Sequence, residues 1–386
     1  MKAADKLSEI AEIADQKERT SAYARFLTEL ISNVDGDGIR DLIEHILSDA
    51  VPLVVSRQIM LQLAEGLRHL TPDLHKRFAE YCLEQVQARA ISFEESAATI
   101  RENLSALHEQ ERSWSKAAQV LAGIDLESGT RVLDHEYKLG RYVRIALLYL
   151  EDGDTTSAES YIKRASPLLG HCKDKNLEIK YKTCYARVLD SKRRFLEAAT
   201  RYCELSQTSG VVEDHDPVAA LAAAVTCTIL APAGPQRSRL LATLFKDERC
   251  QSLPSFTILE KVFFERILSR AEVDTFAATL KTDQTSRTPD GTSVLDQAVL
   301  EHNVQACSKL YANISSNQLG SILGVEASRA EEIVGGMISE GRLSGHIDQV
   351  GGAVVFTDLD SRKAYIQHVE GACNALNRIV EMLHVQ

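Results

Sequence analysis

The chain is short of the residues that punctuate β architecture. It has 8 prolines and 20 glycines among 386 residues, about 2% and 5% where roughly 5% and 7% is usual. A many-stranded sandwich or propeller needs more turn-formers, so the shortage excludes those folds and leaves a mostly helical chain. No apolar run approaches the roughly 18 residues of a membrane span, and the opening MKAADKLSEIAEIADQKE is acidic and amphipathic, unlike a secretory signal. A soluble chain with no membrane partner is expected. Cysteines 82, 172, 184, 203, 227, 250, 307 and 373 stand singly in apolar patterns with no CxxC pair, which points to free thiols in a reducing cytosol or nucleus.

Positive charge is also scarce. There are 44 Lys and Arg against 55 Asp and Glu, a net charge of -11, which argues against a general nucleic-acid binder. Enzyme signatures are missing as well: HExxH, paired HxH, GxxxxGK[ST], a strand-borne GxGxxG and GxSxG are all absent. His45 and His302 sit in helical patterns, where a structural role is the commoner one. Trp114 reads first as a packing anchor. Neither catalysis nor a cofactor is expected.

What is present is helical periodicity on a long chain. A length of 386 residues exceeds the roughly 250 to 300 at which one core stops growing, so two domains or a stacked array are needed. Leu7, Ile10 and Ile13, then Phe26, Leu27, Leu30 and Ile31, then Ile39, Leu42, Ile43, Ile46 and Leu47 trace buried helix faces. Gly36 and Gly38 read as the break between the second and third stripes. In the middle, alanines at 118, 158 and 198 each open a short amphipathic helix about 40 residues after the last, and a longer helix precedes each, at 96–109, 137–150 and 181–189. That period suits a right-handed helical-hairpin solenoid of tetratricopeptide-like character.

Loop-like stretches fall at 207–217, 231–236 and 281–291, the last being the best domain boundary. Beyond it the order is helix 294–311, short helix 317–323 ended by Gly324, helix 327–340, then strands 343–347 and 353–356 around Gly351-Gly352. This is the winged-helix order. A last amphipathic helix at about 361–383 carries Tyr365, Val369, Leu376, Ile379, Val380 and Leu383 on one side. The domains expected are therefore 1–290, the solenoid arm; 291–358, the winged helix; and 359–386, a C-terminal helix that needs a partner surface.

The winged-helix segment 315–356 has 2 basic and 5 acidic residues. A groove reader needs cations on phosphates and donors on base edges, so nucleic acid is disfavoured. Leu343, Ile347, Val354, Val355 and Phe356 instead suit edge-to-edge pairing with another chain. Residues 171–201 run the other way, with nine Lys or Arg against four acids. Lys173, Lys175, Lys180, Lys182, Lys192, Arg193 and Arg194 make either a solvated face or a dock for an acidic partner. Asn33, Asp35, Asp37, Asp41 and Glu44 match five ligand positions of a calcium loop, with Gly38 at its sharp turn. Asn in first place, Arg40 where an aliphatic belongs and the lack of a second hand favour a polar turn between helices instead, and no metal is assigned.

Solenoid helices leading into EGRLSGHIDQ (340–349) and GAVVF (352–356) resemble the PCI-domain family, shared by the proteasome lid, the signalosome and a translation-initiation factor. SFEE (92–95), WSKAAQVL (114–121), YKTCYARVLD (181–190), GPQRSR (234–239) and VLDQAVLEHN (294–303) narrow the likeness to the family of the fourth signalosome subunit. The resemblance is weakest before about residue 45. It implies a non-catalytic scaffold in the cytoplasm and nucleus. Its PCI winged helix and last helix would join other PCI subunits and the metalloprotease pair, and its N-terminal arm would reach a cullin-RING ligase from which the complex removes Nedd8. A PCI subunit of another complex such as the proteasome lid is the alternative, and a winged-helix nucleic-acid binder a lesser one.

Overall fold

Helices begin where short polar side chains take up free N–H groups and stop where the backbone turns left-handed. Both devices recur throughout this chain. The structure, a computed structural model, describes residues 3–127, 133–208, 216–280, 284, 293–357, 369 and 373. The chain divides into two compact units, Met1–Val188 and Leu189–Gln386.

The first unit holds α1 (Ala3–Ala11), α2 (Gln16–Asn33), α3 (Gly36–Leu47), α4 (Leu53–Gly66), α5 (Pro72–Val86), α6 (Glu94–Gln110), α7 (Trp114–Ala122), α8 (His135–Asp152) and α9 (Thr155–Ala165). α10 (Lys175–Ser191) contains the point of division. The second unit continues with α11 (Phe195–Ser206), α12 (Pro217–Leu230), α13 (Pro235–Lys246), α14 (Phe256–Phe263), α15 (Arg270–Ala277) and α16 (Val294–Leu310). It ends with β1 (Asn313–Ser315), α17 (Ser316–Leu323), α18 (Ala327–Ser339), β2 (Gly345–Asp348) and β3 (Ala353–Phe356). No described helix is long and apolar enough to cross a membrane.

The alanine repeat has a backbone counterpart. Arg112, Gly153 and Arg193 all have positive φ, at 58°, 88° and 60°. At each, two N–H groups reach back into the preceding helix: Arg112 to Glu109 and Ser113 to His108, Gly153 to Leu150 and Asp154 to Tyr149, Arg193 to Asp190 and Arg194 to Leu189. This is one Schellman turn used three times. Just beyond each turn, Ala117 and Ala118, Ala158, and Ala198 and Ala199 are fully buried, the small side chains letting the next helix pack closely.

Between α2 and α3 the break lies earlier than Gly36 and Gly38, which are inside α3. Val34 carries the left-handed turn at φ 53° and Asp35 caps α3, its Oδ1 accepting from the Gly38 N–H at 3.1 Å. Gly38 serves packing, since a Cβ there would fall 2.6 Å from Leu30 Cδ2.

The expected boundary at 281–291 is not where the units divide. Ala233, before α13, shares one hydrophobic core with Val304 and Cys307 of α16 and with Ile314, Val334, Val354 and Phe356. Helices on both sides of 281–291 thus bury one another, which ties them into a single unit. All eight cysteines are free, and burial pushes the Cys82 and Cys184 thiols up to about 12, which keeps them unreactive.

Candidate functional site

The winged-helix module is built from its caps inward. Ser293 starts α16 by accepting from the Asp296 N–H at 3.0 Å, and Gly324, at φ 70°, ends α17. The hairpin tip is tied by Asp348, whose Oδ1 accepts from the N–H groups of Val350 and Gly351, both at 3.0 Å. Val350 stands fully exposed at that tip.

The sheet order is β1-β3-β2, all antiparallel, with Ile314 opposite Val354 and Ile347 opposite Val354 from the other side. β3 is therefore the central strand. This corrects the reading of the hairpin residues as a docking edge. Val354 is fully buried, Leu343 is 7% and Phe356 8% exposed, and all three belong to the module's own core. Both ladder edges of β3 are taken, so the strand has no backbone to offer a partner. Ile347 and Val355 are half-buried. Among the described residues, the free edge next to Ile347 is that of β2. The Thr357 N–H donates to the Ser344 oxygen at 2.9 Å, and antiparallel alternation then turns the backbone groups of Gly345 and Ile347 outward. Of the C-terminal helix, Val369 is helical and exposed. Tyr365, Leu376, Ile379, Val380 and Leu383 lie outside the described residues.

Three consecutive polar side chains of α16 are buried: Glu301, His302 and Asn303. Glu301 is forked by the Arg342 guanidinium and accepts from Gln297 at 3.0 Å. His302 Nε2 faces the Arg266 carbonyl oxygen at 2.9 Å, which makes that nitrogen the protonated one. Burial and the nearby Arg237 charge pull its pKa down to about 4, so the ring is neutral. Arg237 is itself 3% exposed, donating to the Thr228 and Ile229 carbonyls at 3.0 Å each. It satisfies the last carbonyls of α12, where a cation is also favoured by the helix dipole. Burial lowers its pKa to about 10, which leaves it charged at neutral pH.

α18 has one base, Arg329, and its Nη1 is 2.6 Å from Glu332 Oε2. A helix so neutralised offers little to phosphate. Exposed Leu310 and Tyr311, beside β1, and Val350 are surface apolar residues that sequence reading passed over. Val350 had a signal, an apolar residue in a glycine turn; the other two continue α16's stripe and look like core.

The basic stretch is partly self-neutralised. Lys182 Nζ lies 2.6 Å from Glu178, Arg187 2.7 Å from Glu151 and Arg194 2.6 Å from Glu197. Lys173, Lys175, Lys180, Arg193 and Arg194 are exposed and Lys192 is half-buried. The calcium-like residues are spread along a helix instead of wrapping a loop. Asp37, Asp41 and Glu44 follow one another up α3, and Asn33 closes α2. Glu44 is engaged elsewhere, accepting the Tyr81 hydroxyl at 2.6 Å while Arg40 lies over the Tyr81 ring. Among the described residues no group of three or more His, Cys, Asp or Glu is placed to hold a metal ion.

Comparison with known proteins agrees with this layout. The family described as PSMD12/CSN4, N-terminal matches residues 2–214, and the PCI domain family matches residues 264–358. The COP9 signalosome complex subunit 4 of Arabidopsis thaliana is 46% identical over 382 residues, covering 97% of this chain and 96% of that protein. The chain belongs to the COP9 signalosome subunit 4 family. Its likeness to the family member of Drosophila melanogaster is 45% over 372 residues, covering 96% of this chain and 91% of that one. For Dictyostelium discoideum the figures are 41% over 378 residues, 98% and 96%. The PCI match ends with the described part of the winged helix, so the β1-β3-β2 sheet and the hydrogen-bond partners of Glu301, His302 and Asn303 lie within the matched segment, while Arg237 lies before it.

Proposed function

We propose that this chain is a non-catalytic scaffold and docking subunit of a signalosome, located in cytoplasm and nucleus. The observation that carries the reading is the near full-length likeness to subunit 4 proteins, joined to a winged helix whose β2 edge is open among the described residues. The β2 edge pairs with a neighbouring PCI subunit, since an unpaired strand edge is a ready template for a further strand. The 359–386 segment joins the subunit bundle with the metalloprotease pair, and the solenoid arm reaches the cullin-RING ligase.

Affinity purification of the full chain followed by mass spectrometry is the test. The expected catch is the set of signalosome subunits together with cullin and RING proteins, with deneddylating activity in the assembly and none in the purified chain alone. Recovery of proteasome-lid subunits instead would overturn it. Ile347→Pro removes an outward N–H without touching the β2-β3 ladder. Because the Ile347 side chain also packs on the module's core, Ile347→Ala serves as the control for lost packing: the proline variant is expected to reduce co-purification well beyond the alanine one, and equal recovery of the neighbours with both would refute the edge claim.

A further inference from the structure

The first unit contains a groove of about 370 Å³ between the end of α5, the start of α6 and the turn after α7. Its walls are largely apolar, including Leu83, Val86, Ala97 and Leu133. Ile91 also lines it and is 72% exposed. Covering that side chain together with the apolar recess beside it would stabilise a complex with a partner.

Among the described residues one cation lines this recess. Arg101 of α6 is half-buried and lies against Gly123 at the end of α7, where a Cβ would fall 3.0 Å from Nε and 3.5 Å from Cδ. A side chain there would crowd Arg101. Among the described residues the Arg101 guanidinium has no hydrogen-bond acceptor and no carboxylate partner, and burial alone lowers its pKa. The acid next to it, Glu102, is already taken by the Tyr137 hydroxyl at 2.7 Å and by Arg141 at 2.8 Å. A guanidinium withdrawn from water without a counter-charge is a cost the fold carries for no internal gain.

We propose that this groove docks a short segment of a partner protein in which an aliphatic side chain stands beside an Asp or Glu. The carboxylate pairs with Arg101 in the planar, two-bond manner that guanidinium favours, and the aliphatic group covers Ile91 and enters the apolar recess. A polyphosphate chain fits the site poorly. Among the described residues Arg101 is the one cation that lines the groove, so it can pair with one carboxylate but not with a run of phosphates.

The test is selection of short random peptides on the full chain, followed by binding titrations against variants. The expected peptides carry Asp or Glu next to Leu, Ile or Val. They bind the parent chain, bind Arg101→Lys more weakly because the two-bond pairing is lost, and lose about tenfold or more in affinity with Arg101→Gln. Ile91→Ser, at an exposed position that leaves folding unchanged, is expected to weaken them as well. Thermal unfolding separates docking from structure: with no partner to lose, Arg101→Gln keeps or raises Tm. The proposal falls if the selected peptides bind Arg101→Gln as tightly as the parent, if they lack acids, or if Arg101→Gln lowers Tm as a structural salt bridge would. Arg101-dependent binding of single-stranded RNA in place of peptide would overturn it too.

Discussion

Asn303 holds Leu268 by both of its backbone groups: its Oδ1 accepts from the Leu268 N–H at 2.9 Å and its Nδ2 donates to the Leu268 carbonyl at 3.2 Å. A single buried amide thus replaces the ladder that an irregular segment lacks. Asn303→Ala leaves both groups buried and unpaired, and is expected to lower stability by about 2–4 kcal/mol. Urea denaturation measures it, and a change under about 0.5 kcal/mol would show that the clamp is not used.

His302 makes stability depend on pH. Its folded pKa, about 4, lies below the ordinary 6.5. The unfolded chain therefore takes up the proton first as pH falls. The contribution is complete above about pH 6.5 and is lost between there and about pH 4. By pH 4.5 the parent should have lost roughly 2–3 kcal/mol more than His302→Gln, relative to each at pH 7. Parallel slopes in denaturant melts across that range would refute the assignment.

Among the described residues Arg342 and Glu301 form the most buried ion pair of the winged-helix module, with side chains 19% and 9% exposed. Breaking such a pair from one side leaves an uncompensated charge. Arg342→Ala is expected to destabilise by about 3–5 kcal/mol. Adding Glu301→Gln should recover a large part of that loss, so a double-mutant cycle should give a coupling of roughly 1–3 kcal/mol. Strict additivity would mean that the two do not interact.

Val354 and Phe356 answer differently from surface residues. Phe356→Ala is expected to destabilise by about 3–5 kcal/mol through the cavity it leaves, and Val354→Asp buries a charge. Both should lower Tm in the isolated chain before any partner is added. Unchanged Tm with lost partner binding would put the side chains back on the surface.

Arg112 is exposed and left-handed at φ 58°. Gly153 holds the same turn in the next repeat without a Cβ penalty. Arg112→Gly is expected to raise stability by about 0.5–1 kcal/mol, observed as a higher urea midpoint.

The comparison of these turns explains what the sequence disclosed and what it hid. The alanines at 118, 158 and 198 marked the repeats, because a small side chain is demanded wherever two helices close together. The turns did not, because only Gly153 among Arg112, Gly153 and Arg193 has the residue type that signals positive φ. In the winged helix, α16, α17, α18, β2 and β3 were each legible within a few residues. β1 was not: Asn313, Ile314 and Ser315 are too few to show a period. That small omission had a large consequence, since β1 makes β3 central and closes the edge that its apolar residues had seemed to advertise. The burial of Glu301, His302 and Asn303 was equally hidden, because polar letters inside a helical stripe give no sign of the backbone they will meet.

Sequence alone determined the helical class, the near 40-residue repeat, the winged-helix order and the sign of its charge, all of which follow from local periodicity and composition. It also determined that Val354 and Phe356 share one face of their strand and Val355 the other, since side chains alternate along any strand. Only the tertiary structure decided which face is core. That choice depends on where α16 and α18 pack and on a third strand from earlier in the chain, and contacts between distant segments are not encoded in the spacing of neighbours. The same holds for Arg101: its charge is in the sequence, but its want of a partner exists only once α6, α7 and α8 have taken their places.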